Sequence, residues 1–146
     1  MNKIFRDWQF YLCLVLGPLA WWLISFFQPM RFELGFPSIA WYQFALIILV
    51  YPVLEEIVFR GLVLEYLAKR ARWKWDQRIV SLTAANLLTS LAFVLAHLIY
   101  SPWIWALLVF FPSIIFGYMK ERHQSLLSPI IMHGFYNLGF FWLYWS

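Results

Sequence analysis

An otherwise apolar run from Trp41 to Leu64 carries Glu55, Glu56 and Arg60 within Leu54-Glu55-Glu56-Ile57-Val58-Phe59-Arg60-Gly61. If this run is a membrane helix, no bulk water screens the three charges. Each ionisable group placed mid-bilayer costs about 3 kcal/mol or more, so such groups are usually paired and functional. Helical spacing puts Glu56 and Arg60 one turn apart on one face, where an acid N-terminal to a base pairs well. Glu55 lies about 100° round the helix from Glu56, outside that pair and available for chemistry. The plainer reading is that all three charges form a buried ionic knot between helices.

Composition supports the membrane reading. Of 146 residues, 64% are hydrophobic and 12% charged, and the mean hydropathy is +0.70. Runs of about twenty apolar residues point to spanning helices. The expected fold is an all-α membrane protein, one domain over residues 1–146, built as a compact bundle of about five transmembrane helices. Ten tryptophans suit interfacial belts better than a water-soluble core. Cys13 is the single cysteine, which excludes an internal disulfide and a thiolate metal cluster. It is expected to face lipid or a neighbouring helix.

The first helix is expected over Trp8–Phe27, with a kink at Gly17-Pro18. It is long for a signal-peptide core, and no small-x-small cleavage site follows it. Gln28–Ser38, with two prolines and a glycine, reads as a loop. The second helix runs from about Trp41 to Leu67. Pro52 should free the carbonyl of Ile48 and bend it, one turn before the carboxylates. Lys69–Arg78 is a basic loop. The third helix, Ile79–Tyr100, is rich in Ser, Thr, Ala and Asn, which let backbones approach closely in lipid, so it should be central. The fourth, Trp103–Met119, is interrupted by Pro112. Lys120–Ser125 reads as a polar loop. The fifth helix, from about Leu126 to Trp145, has Pro129 near its first turn, where proline is tolerated.

With the amino terminus inside and the carboxyl terminus outside, Lys3, Arg6, Lys69, Arg70, Arg72, Lys74, Arg78, Lys120 and Arg122 face the cytoplasm. Only Arg31 faces out, and this nine-to-one division obeys the positive-inside rule. The net charge of +4 is therefore accounted for by orientation and contacts with anionic lipid. No nucleic-acid partner is needed; the lipid bilayer is the partner expected.

Two further helices carry polar groups at membrane depth, in Phe93-Val94-Leu95-Ala96-His97 and His133-Gly134-Phe135-Tyr136-Asn137. A single helical histidine is more often a packing residue. Two histidines, an asparagine and two glutamates on three helices each need partners in lipid, and convergence is the easiest way to supply them. Such a cluster could hydrolyse. A buried glutamate can take a proton from water, and a histidine can orient that water. An imidazole and a carboxamide could donate to an oxyanion, an effect worth roughly 3 kcal/mol per donor. Glutamate and histidine also ligate zinc, although such sites usually show tighter spacing such as H-E-x-x-H. Spacing alone leaves a metal open.

Glu55-Glu56-x-x-x-Arg60, then Phe93-x-x-x-His97, then His133-x-x-x-Asn137 resembles the CPBP intramembrane proteases, which include the CAAX prenyl endopeptidases and the bacterial Abi proteins. The context is similar too, in Leu-Glu-Glu-Ile-Val-Phe-Arg-Gly-Leu and in Ser-Pro-x-x-x-x-His. Each motif is weak alone; the three in order, across residues 54–137, are specific. The resemblance implies Glu55 as general base and His97 as its water-holding partner. It implies Glu56 and Arg60 as supporting groups, with His133 and Asn137 stabilising the oxyanion. It also implies a glutamic mechanism needing no cofactor, zinc being second. The chain looks like the catalytic core alone, similar to small bacterial members that process C-terminal sorting tails of exported proteins. Membrane protein or peptide tails, rather than prenylated CAAX tails, are then the expected substrate, and the bacterial inner membrane the expected location.

Two other classes fit the charges. One is a non-enzymatic membrane partner, such as a bacteriocin-immunity or assembly factor, that keeps the polar cluster as a knot. The other is a small transporter with a carboxylate–histidine proton relay. Transporters more typically show repeated halves, and no internal repeat is present.

Overall fold

The computed structural model describes residues 3–27, 41–70 and 82–144. These residues form five helices: α1 (Trp8–Ile24), α2 (residues 41–70), α3 (Ala84–His97), α4 (Trp103–His123) and α5 (Leu127–Tyr144). The all-helical expectation holds. The expected loop at Gln28–Ser38 lies outside the described residues, as does most of the basic loop. Lys69 and Arg70 instead continue α2. The expected loop at Lys120–Ser125 also begins late, because Lys120 to His123 complete α4. Gln124 then ends the helix in the left-handed conformation (φ 52°), with its N–H returned to the Lys120 carbonyl.

Prolines mark the irregularities. α2 is not a uniform α-helix: Leu46–Val50 and Ile57–Val63 are π-helical, one on either side of Tyr51–Glu56. A π turn inserts one residue, and such turns gather at functional sites. α4 is interrupted at Val109, between Trp103–Leu108 and Phe110–His123. Pro112 explains the break, since it has no N–H for the carbonyl four residues earlier. α1, by contrast, passes through Pro18. Among the described residues, Trp103–His123 is the one helix long and apolar enough to cross a membrane by length and composition. Trp8–Ile24 and Ala84–His97 are shorter apolar helices.

The chain divides into two compact units, one of residues up to Val53 with those from Ile130 onward, the other Leu54–Pro129. In the first, α1 starts at Asp7, whose carboxylate accepts from the Gln9 N–H. The small residues Gly17 and Gly139 let α1 and α5 close. A Cβ on Gly17 would lie 2.9 Å from the Tyr136 ring, and Gly139 takes the Trp21 indole. The Tyr136 hydroxyl donates to the Cys13 carbonyl at 2.5 Å. Cys13 is buried there, against a neighbouring helix as expected.

The second unit buries polar side chains among its apolar core residues and exposes many large apolar ones. Asn86, Thr89, Ser90 and Ser113 are fully buried, whereas Leu62, Leu88, Leu91, Leu95, Ile104, Leu107 and Phe111 are exposed. Water-soluble domains distribute these residue types the other way. α3 is central to this unit, as its small residues predict. Gly117 of α4 is so close that a Cβ there would collide with the Asn86 side-chain oxygen. Asn86 in turn donates to the Ile114 carbonyl at 3.0 Å. Thr83 caps α3 through the Asn86 N–H and donates to Glu121 at 2.5 Å. Lys120 closes the same end on Glu65 at 2.9 Å.

Candidate active site

The sequence spacing of Glu56 and Arg60 is realised. Arg60 Nη1 donates to Glu56 Oε1 at 2.9 Å, and both side chains are fully buried. The pair meets even though Ile57–Val63 is π-helical, a register in which the Leu64 N–H reaches back to the Phe59 carbonyl.

The guanidinium has further partners that sequence reasoning missed. Nη2 donates to the Ser113 hydroxyl at 2.7 Å and to the Ser113 carbonyl at 2.8 Å. The Phe93 and Phe116 rings lie 4.8 and 5.4 Å from the guanidinium carbon, close enough for cation–π attraction. Arg60 is thus tied to α3 and α4 together. Ser113 follows Pro112, but nothing local in the sequence marks it as the partner of an arginine 53 residues away.

Glu55 is half-buried rather than buried. It lies within electrostatic range of Arg60 and of the Tyr100 hydroxyl. Tyr100 also packs against His97, their ring centroids 5.1 Å apart and their planes tilted by 47°. Tyr100 therefore brings Glu55 and His97 into one neighbourhood at the end of α3. The sequence offered no sign of that role, because Tyr100 reads as an ordinary interfacial aromatic.

His97 is held on its other side by Phe93, at 4.3 Å between centroids. Its Nδ1 lies 3.0 Å from the Phe93 carbonyl. A carbonyl can only accept, so Nδ1 carries the hydrogen and, in the neutral ring, Nε2 is the acceptor nitrogen. The Phe93-x-x-x-His97 spacing accounts for both contacts, since residues four apart share a helix face.

His133 and Asn137 lie on α5 and belong to the first unit, whereas Glu55, Glu56, Arg60 and His97 belong to the second. His133 is buried. Asn137 donates its side-chain amide to the Ile47 carbonyl at 3.0 Å. The sequence expectation named the Ile48 carbonyl as freed by Pro52, and that oxygen faces Gly134. In the π register of Leu46–Val50 donors reach back five residues rather than four, so Pro52 also supplies no donor to the Ile47 carbonyl. Among the described residues, no three or more His, Cys, Asp or Glu side chains gather into a cluster that could hold a metal ion.

Comparison with known families matches residues 37–139 to the type II CAAX prenyl endopeptidase Rce1-like family. That match spans all six residues singled out above. No significant match was found among curated proteins or solved structures. On the family match, the chain belongs to the type II CAAX prenyl endopeptidase Rce1-like family, whose activity is that of a membrane-embedded protease.

Proposed function

We propose that this protein is a glutamic intramembrane endopeptidase that cuts the tails of membrane-associated proteins in the bacterial inner membrane. In this reading its five helices all span, with the amino terminus inside. Glu55 takes a proton from water as the water oxygen attacks the scissile carbonyl carbon. It then returns that proton to the leaving amine as the C–N bond breaks. His97 holds the water through Nε2. His133 donates to the developing oxyanion, with Asn137 on the same face of α5. Glu56 and Arg60 support Glu55, and no metal takes part.

The observation that carries this reading is the tautomer of His97, whose neighbour Tyr100 lies within electrostatic range of Glu55. Nδ1 is committed to the Phe93 carbonyl, so in the neutral ring Nε2 is the acceptor nitrogen. A purely structural knot would require only the Glu56–Arg60–Ser113 cluster and not a histidine with its Nδ1 hydrogen directed to a backbone carbonyl.

The test uses the full-length protein in lipid nanodiscs with membrane-anchored tail peptides in water enriched in oxygen-18. The expected result is a cut peptide carrying one heavy oxygen in its new carboxylate. The Glu55→Ala protein should release none and should co-purify with uncut tails identifiable by mass spectrometry. A wild-type protein that cuts no tail, paired with a Glu55→Ala protein that retains none, would favour the non-enzymatic reading instead.

A further inference from the structure

Two consecutive carbonyls of α2 face two positions of α5, and the match is specific. In Leu46–Val50 the register is π, and the Tyr51 N–H bonds the Leu46 carbonyl five residues back. The next donor in that register would serve Ile47, but residue 52 is proline and has no N–H. A carbonyl left without a donor in an apolar surrounding is costly. The Asn137 amide occupies that place, 3.0 Å from the Ile47 oxygen. One turn earlier on α5, Gly134 meets the following carbonyl. A Cβ built there would lie 2.7 Å from the Ile48 oxygen, closer than real Cβ atoms come. Positions 134 and 137 share one face of the helix, so a single surface of α5 receives both carbonyls.

We infer that Gly134 and Asn137 form a receptor for the break that Pro52 makes in α2, and that Asn137 is a positioning residue holding the π register there. The consequence stays within the first unit, where Asn137 holds the register of Leu46–Val50 up to Pro52. That task is separate from any donation to an oxyanion. This inference concerns the folded chain and does not require the protein to be a protease.

The experiment is a double-mutant cycle on the purified full-length protein in nanodiscs, read by thermal unfolding midpoint. Asn137→Ala in the native background should lower the midpoint by about 3–6 °C, the scale of one lost hydrogen bond. In the Pro52→Ala background residue 52 regains an N–H, so the same Asn137→Ala change should cost less than a third of that. Equal losses in both backgrounds would overturn the inference, since an oxyanion donor or a packing group does not depend on Pro52.

Should Pro52→Ala not fold, hydrogen–deuterium exchange of Asn137→Ala decides. Faster exchange confined to a peptide covering residues 44–53 supports the receptor, and unchanged exchange there refutes it. A protein that fails to cleave any tail yet shows the coupling would lose the protease reading and keep this one.

Discussion

Glu56 and Arg60 meet at 2.9 Å with neither side chain exposed, while the adjacent Glu55 remains half-buried. Two neighbouring carboxylates therefore stand in different surroundings, and their replacement should have different consequences. Glu56→Gln strands the Arg60 charge among Phe93, Phe116 and Ser113. Removing one partner of a buried pair costs about 3–5 kcal/mol, so Glu56→Gln should unfold well below the wild type. An unchanged melting temperature would show that Ser113 and the rings hold Arg60 without Glu56.

The approach of α3 and α4 rests on one missing side chain. A Cβ on Gly117 would collide with the Asn86 side-chain oxygen, so Gly117→Ala should lower the melting temperature markedly. Adding Asn86→Ala removes the clashing amide and should recover part of the loss. Failure of the second change to help would mean that Gly117 matters for something other than Asn86.

Much of this was legible in the sequence, and the misses share a cause. Spacing of four along a helix found Glu56 with Arg60, because that relationship is local. It could not find Ser113 or Tyr100, whose roles depend on where α4 and the end of α3 pack. The proline at 52 drew attention to the stretch of α2 where the register changes, but the π register of Leu46–Val50, and with it the role of the Ile47 carbonyl, is not written in the hydrophobic pattern.

Metal should be dispensable. The Arg60 guanidinium lies within electrostatic range of both carboxylates, and a fixed cation there opposes a second one. Metal analysis of active protein should find zinc well below one ion per chain. Activity lost to a chelator and restored by zinc would reverse this assignment.

The proposed orientation, drawn from the division of basic residues, has Lys74 inside and residue 146 outside. Single cysteines introduced as Lys74→Cys and Ser146→Cys, each in a Cys13→Ser background, should label with impermeant reagent from opposite faces of sealed vesicles. Labelling of both from the same face would contradict five spanning helices.

The central claim is that Glu55 is the base. Glutamine keeps the shape and hydrogen bonds of Glu55 but cannot accept a proton, so Glu55→Gln should retain the wild-type melting temperature while turnover falls at least about a hundredfold. The decisive measurement is the cleavage rate of one fluorogenic tail peptide by purified wild-type, Glu55→Gln and Glu56→Gln proteins, each with its melting temperature. The account predicts a stable, inactive Glu55→Gln and a destabilised, partly active Glu56→Gln. A Glu55→Gln protein that cleaves at near the wild-type rate, beside a folded and inactive Glu56→Gln, would contradict it.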